Sequence, residues 1–174
     1  MARPSKRAAL LDAALAVIRR EGAQRLTLDA VAAEAGVSKG GVLYHFATKR
    51  ALIEGLIERW LDDFEARLDG ADFAAAYVRA SDMRAVPPDV AASEFGLVAA
   101  LVEEPQVLEV ARERHAEWME RMKGGDLDAT DAWIVRLAAD GLWYADLLGI
   151  APPQGAERAR LLARLLALTG APSR

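Results

Sequence analysis

Residues 27–49, TLDAVAAEAGVSKGGVLYHFATK, constrain the fold more than any other stretch of the chain. The run LDAVAAEA is built of helix formers and puts Val31 and Ala35 on one face; Gly36 and Val37 then interrupt it. Ser38 opens a second helix, because its hydroxyl can accept from an amide that a first turn leaves unpaired. Two short helices meeting at a glycine make the helix-turn-helix pattern. Ala32 has to be small where the second helix crosses it, and Gly36 can take the positive φ that the turn requires. Val31, Ala35, Val37 and Val42 are the expected apolar lock between the two helices. A pair of this kind sets its second helix in the major groove of DNA.

That second helix, Ser38 to about Tyr44, is poorly composed for folding. Gly40 and Gly41 each cost roughly 1 kcal/mol relative to Ala in a helix interior, and somewhat less in a first turn. A bare backbone would let the amides and partial positive charge of the helix start come close to phosphates or base edges. Lys39, Tyr44, His45 and Lys49 surround it, and Thr48 is placed to cap the next helix. Taken alone, the Gly-Gly pair also fits a loop between two scaffold helices.

With its flanks included, the stretch resembles the TetR family of bacterial transcriptional regulators over about residues 6–60. Gly36, Gly40, the pair His45 and Phe46, and Lys49 three residues beyond carry the resemblance. Many members have Tyr-Tyr or Tyr-Trp before the histidine, whereas this chain has Leu43 and Tyr44, so Leu43 is expected either to pack or to meet a thymine methyl. The resemblance implies an all-α protein of about nine helices. A three-helix DNA-binding domain (1–47) would precede a larger helical effector-binding and dimerisation domain (48–174), linked by helix 4 at about 48–68. It further implies DNA contacts by Thr27, Ser38, Lys39, Gly40, Gly41, Leu43, Tyr44, His45 and Lys49. Repression from a palindromic operator, held by a homodimer and released by a small molecule, is the family habit.

Charge has to be divided by position to make sense of a net −4. Residues 1–50 hold nine Lys and Arg against four acids, and the remainder hold thirteen against twenty-two. The basic footprint is thus confined to the reading head, while an acidic body would be repelled by DNA and orient the molecule. The chain has no Cys, which excludes a disulfide framework and a thiolate metal site, and two well-separated His give no zinc-site pattern. No metal or cofactor is expected. No signal-peptide pattern and no membrane-length apolar run is visible, which predicts a soluble cytoplasmic protein.

In chain order, residues 1–5 read as a solvated basic tail that includes Arg3, and Pro4 stands near the start of helix 1. That helix carries Ala9, Leu10, Ala13, Ala14, Val17 and Ile18 as one stripe and is closed by Gly22. Helix 4 carries Leu52, Ile53, Leu56, Ile57, Trp60, Leu61, Phe64 and Leu68, a stripe longer than a small N-terminal domain can use. It reads as a mechanical or a passive connector. Helix 5 is expected at about 72–80, a loop at 81–88, and helix 6 at 89–103 with Val90, Val102 and a close-packing or kinking Gly96. Helix 7 is expected from Pro105 to about Lys123. His115 reads as a surface or core-edge histidine.

The helix at 128–148 is apolar nearly all round, and the last, at about 156–169, is rich in Leu. Ala138, Gly141, Leu142, Ala145, Leu161, Leu162, Leu165 and Leu166 are therefore expected to form half of a four-helix homodimer interface, the alternative being completion of an internal core. Candidate effector contacts are Phe64, Tyr77, Phe95, Trp118, Met119, Met122, Trp143 and Tyr144, all of them equally compatible with plain core. Asp140 lies on the stripe of Trp133, Leu137 and Tyr144, where a carboxylate needs a partner: Arg136, a helix end or a cationic ligand. No phosphate loop, nucleophile elbow, zinc-protease motif or Cys nucleophile points to an enzyme. A helical protein-interaction adaptor without an effector pocket is the alternative to a regulator.

Overall fold

The computed structural model describes residues 5–68, 70, 72–85, 87–125 and 127–170. The expected basic tail with Arg3, the helix start at Pro4, and the side chains of Val90 and Val102 lie outside the described residues. Among those described there are nine α-helices and no strand: α1 (Lys6–Glu21), α2 (Leu28–Ala35), α3 (Lys39–Leu43), α4 (Lys49–Glu65), α5 (Phe73–Ala80), α6 (Pro88–Glu103), α7 (Leu108–Lys123), α8 (Ala129–Leu148) and α9 (Gly155–Leu168). The chain is all-α, as expected. Three boundaries differ: α4 stops at Glu65, Pro105–Val107 is a separate 3-10 turn before α7, and a further such turn, Met83–Ala85, interrupts the expected loop.

Two compact units are present, Met1–Trp60 with Ala92–Ala111, and Leu61–Ala91 with Arg112–Arg174. In the first, α1 is capped by Ser5 Oγ, which accepts from Ala8 N at 3.1 Å, and buries Leu10, Leu11, Ala13, Ala14, Val17 and Ile18. Leu11 belongs to this stripe and Ala9 does not, being exposed at its margin. Leu52, Ile53, Leu56 and Ile57 of α4 are fully buried in the same unit. Each such side chain contributes roughly 1.5–3 kcal/mol.

Two glycines admit neighbours that no other residue would. A Cβ at Gly55 would stand 2.9 Å from Phe46 Cε1 and 3.0 Å from an Arg7 guanidinium nitrogen. Arg7 lies over the Phe46 ring, 5.3 Å from its centroid, and pairs with Glu58 at 3.0 Å. A Cβ at Gly96 would stand 2.2 Å from Ile18 Cγ2, so α6 meets α1 backbone to side chain. Close packing, of the two roles expected for Gly96, is therefore the one found.

In the second unit α5 is buried almost throughout, including Tyr77 and Val78. The inner face of α8 is Ala132, Val135, Ala139 and Leu142, and α9 buries Leu165 and Arg158. Leu142 and Leu165 thus finish an internal core and are withdrawn from the expected dimer surface. Arg158 grips Asp146 with both arms, Nη1 to Oδ1 at 2.9 Å and Nη2 to Oδ2 at 2.5 Å, and Nη2 also donates to Asp82. One guanidinium on α9 therefore fastens α8 and the segment after α5, a role its surroundings of Ala and Leu did not advertise.

The Gly96 contact is testable. Ile18 is β-branched and holds one rotamer in a helix, so its methyl cannot swing aside. Gly96→Ala is expected to cost about 1–3 kcal/mol by overpacking. Urea unfolding should show that cost nearly vanish when Gly96→Ala is made in an Ile18→Ala background.

Candidate functional site

The first site is built on α2 and α3. Thr27 Oγ1 accepts from Ala30 N at 3.0 Å and starts α2. Gly36 ends it at φ 65°, and Val37 N returns to Ala32 O at 3.0 Å. Ser38 Oγ then accepts from Gly41 N at 3.2 Å to start α3. Val31 and Val42 are sealed between the helices with Ala32 beside them. Ala35 is half-buried, and Val37 is 45% exposed with its side chain beside Gly41 of α3, so these two sit at the rim of the lock and not in its centre.

What α3 offers to solvent is mixed in character. Leu43 is 42% exposed, and Tyr44 is 85% exposed, with its ring against that of His45 at 5.0 Å. The Lys39 ammonium is held by Asp29 of α2 at 2.9 Å. Thr48 Oγ1 caps α4 by accepting from Ala51 N at 3.0 Å, which puts Lys49 at the helix start. Thr27, Ser38, Lys39, Gly40, Leu43 and Tyr44 are exposed, and Gly41, His45 and Lys49 are half-buried. Neither Gly40 nor Gly41 has a positive φ. A Cβ at either would meet nothing closer than 3.6 Å, which is ordinary contact. Nothing inside the chain demands glycine at these two positions.

The second site lies in the unit that contains α5. Phe64, Tyr77 and Trp118 form an aromatic cluster, with ring centroids 5.0 Å apart for Phe64 and Trp118 and 5.3 Å for Phe64 and Tyr77. Met119 and Met122 are buried in the same unit. The Tyr77 hydroxyl donates to Asp140 Oδ1 at 2.6 Å, and Arg136 Nε stands 3.3 Å from Asp140 Oδ2. Burial first, and the Asp140 charge second, push the Tyr77 phenol far above its usual 10, so it stays a donor. Asp140 has two partners from the chain itself, the tyrosine being the one its sequence position did not suggest. The Trp118 indole N–H is buried and has no acceptor among the described residues, an omission that costs about 1–3 kcal/mol. His115 lies against Trp118, its ring centroid at 4.9 Å, as a core-edge histidine.

Two other candidates stand apart. Phe95 is 52% exposed and belongs to the first unit. Tyr144 is half exposed and touches Trp143 edge-on at 4.8 Å. Tyr144 instead falls on an outward ridge of α8 formed by Ile134, Leu137, Gly141, Tyr144 and Leu148, spaced alternately three and four apart. Ala138, Ala145, Leu161, Leu162 and Leu166 are half-buried.

Both regions have counterparts among known proteins. Residues 10–56 match the family described as bacterial regulatory proteins, tetR family, and residues 71–170 match a tetracyclin repressor-like C-terminal domain. The HTH-type transcriptional regulator BetI of Agrobacterium fabrum is 37% identical over 81 residues, which are 47% of this chain and 37% of BetI. The chain spans about a third of the length of the curated relatives it matches. The crystal structure of the multidrug binding protein EbrR complexed with malachite green is 27% identical with a TM-score of 0.71, covering 93% of this chain and 98% of EbrR. A TetR-family member from Streptomyces coelicolor A3 is 26% identical with a TM-score of 0.70, covering 93% and 98%.

The Tyr77–Asp140 bond predicts a pH effect. A phenol whose ionisation is raised in the folded state contributes stability that is complete below pH 10 and lost as pH rises beyond it. Wild-type stability should therefore fall above pH 10 by up to about 1.4 kcal/mol per pH unit more than that of Tyr77→Phe. Below that pH, Tyr77→Phe should be about 1–3 kcal/mol less stable, because Asp140 loses a donor. Denaturant titrations of both proteins between pH 8 and 11 measure both differences.

Proposed function

Because the chain belongs to the TetR family of bacterial regulatory proteins, we propose that it is a ligand-responsive repressor that binds a palindromic operator as a homodimer and leaves it when a small molecule binds the C-terminal domain. The family and the relatives are transcriptional regulators, not enzymes. Residues 1–47 act as the DNA-binding domain and 48–174 as the effector and dimerisation domain.

The observation that carries the DNA-binding reading is the glycine pair on α3. Its backbone is bare without any internal neighbour to explain it, which fits close approach by something external. Thr27, Ser38, Gly40 and Gly41 approach the phosphate backbone and base edges, Lys39, Tyr44, His45 and Lys49 contact phosphates, and Leu43 meets a thymine methyl. Two such heads related by a two-fold axis read half-sites about 34 Å apart or somewhat more.

The outward α8 ridge, with the half-buried Ala138, Ala145, Leu161, Leu162 and Leu166 beside it, is the proposed subunit interface. Its alternating three- and four-residue spacing is that of a helix seam. Phe64, Tyr77, Trp118, Met119 and Met122 supply the effector site. EbrR, crystallised with malachite green and with ethidium, supports small-molecule binding in a chain of this fold.

A gel-shift series with the DNA upstream of the protein's own gene tests the reading, with affinity expected to fall steeply as salt rises. Lys39→Ala should weaken binding and flatten the salt slope by about 2, one phosphate per half-site. Asp29→Asn should tighten it by roughly 2–10-fold, since it frees Lys39 from a surface pair that holds up to about 1 kcal/mol per subunit. Leu137→Glu should give a monomer by light scattering that no longer shifts DNA. A wild-type chain that is itself monomeric and leaves DNA unshifted would favour the adaptor.

A further inference from the structure

We infer that the effector of the Phe64, Tyr77 and Trp118 cluster is an uncharged aromatic molecule carrying a hydrogen-bond acceptor oxygen, and not an organic cation. This inference rests on the effector-binding reading above and names the chemistry of that site.

An organic cation is recognised by an unengaged carboxylate and by an open aromatic face. Here the chain's own groups engage the carboxylate, and its own cations cover Phe64 of the cluster and the rings of Phe73 and Trp133. Asp140 already accepts from Tyr77 at 2.6 Å and pairs with Arg136 at 3.3 Å, which leaves the pair with no net charge. The Arg67 guanidinium lies over Phe64 at 5.0 Å, and Arg121 lies over Phe73 at 4.1 Å. On Trp133, Arg136 and Lys123 stand 5.4 and 5.6 Å from the ring centroid. A cationic ligand would have to displace a guanidinium and would meet repulsion from the rest.

The unmet need of the cluster is for an acceptor. Trp118 is 2% exposed, and its Nε1–H has no partner among the described residues. The Tyr77 hydroxyl does not compete for the same acceptor, because its proton is committed to Asp140. An indole N–H is a donor only, so nothing but an acceptor can satisfy it. Phe64 and Tyr77 stand 5.0 and 6.1 Å from Trp118 by ring centroids, and Met119 and Met122, buried on the same helix as Trp118, are unbranched side chains of the kind that adapt to an inserted ring. A carbonyl or ether oxygen on an aromatic body matches that combination, and a bare hydrocarbon leaves the donor unmet.

The test uses the full chain and three probes: 2-acetonaphthone, its oxygen-free counterpart 2-ethylnaphthalene, and ethidium. Calorimetric titration of the wild type is expected to show the ketone at least about 10-fold tighter than the hydrocarbon, and ethidium weaker than the ketone. Trp118→Phe keeps an aromatic ring and removes the donor, so the ketone-to-hydrocarbon ratio should fall towards one. If that variant does not fold, the wild type still decides: with ¹⁵N-labelled tryptophan, one indole N–H proton should move downfield with the ketone and stay in place with the hydrocarbon. Equal affinity for ketone and hydrocarbon, a ratio that survives in Trp118→Phe, tighter binding of ethidium, or no binding by any probe would overturn the inference. DNA binding persisting alongside such a result would leave the regulator reading intact and remove only the ligand class.

Discussion

The presentation of α3 depends on one small crossing. Val31 and Val42 are sealed against each other's helices over Ala32, and Gly36 turns the chain at φ 65° between them. The two valines together supply a few kcal/mol, enough to fix a five-residue helix that has no intrinsic stability of its own. Caps at both helix starts satisfy amides that would otherwise compete for partners. The outer face of α3 is thereby relieved of any folding duty. Glycines, a bare tyrosine and a partly exposed leucine can occupy it because the inner face holds the helix.

The same division of labour recurs wherever side chains are removed or buried against expectation. Gly55 and Gly96 give up their own packing so that Phe46, Arg7 and Ile18 can fill the space. Arg158 does the reverse, bringing a charge indoors and surrounding it with two carboxylates. Removing either partner of such a buried pair is strongly destabilising, which makes it a means of fixing position rather than a large net source of stability. Tyr77 and Asp140 form a smaller version of the same arrangement.

How much of this was legible in the sequence follows from how local each signal is. Caps, the left-handed Gly36 and the α4 stripe could be read because they depend on spacing within a few residues. The inner face of α8 could not: with Trp133, Ile134, Val135, Leu137 and Leu142 all apolar, the pattern does not say which third of the circumference is inside. The pattern accordingly assigns Leu142 and Leu165 to a subunit surface, whereas both are buried within the chain itself. Residue type groups Phe95 with the other aromatics and carries no sign that half of its surface is exposed. Tyr77 with Asp140, and Arg158 with Asp82, join residues 63 and 76 positions apart, beyond the reach of any periodicity.

The ion pair between Lys39 and Asp29 has a kinetic side. A lysine that must leave a carboxylate before it reaches a phosphate binds every stretch of duplex a little less well, whatever its sequence. Contacts to base edges are unaffected by that handicap. In the proposed regulator that would mean a shorter dwell on the many non-specific positions that compete with an operator, obtained from a single acidic residue on the helix next door.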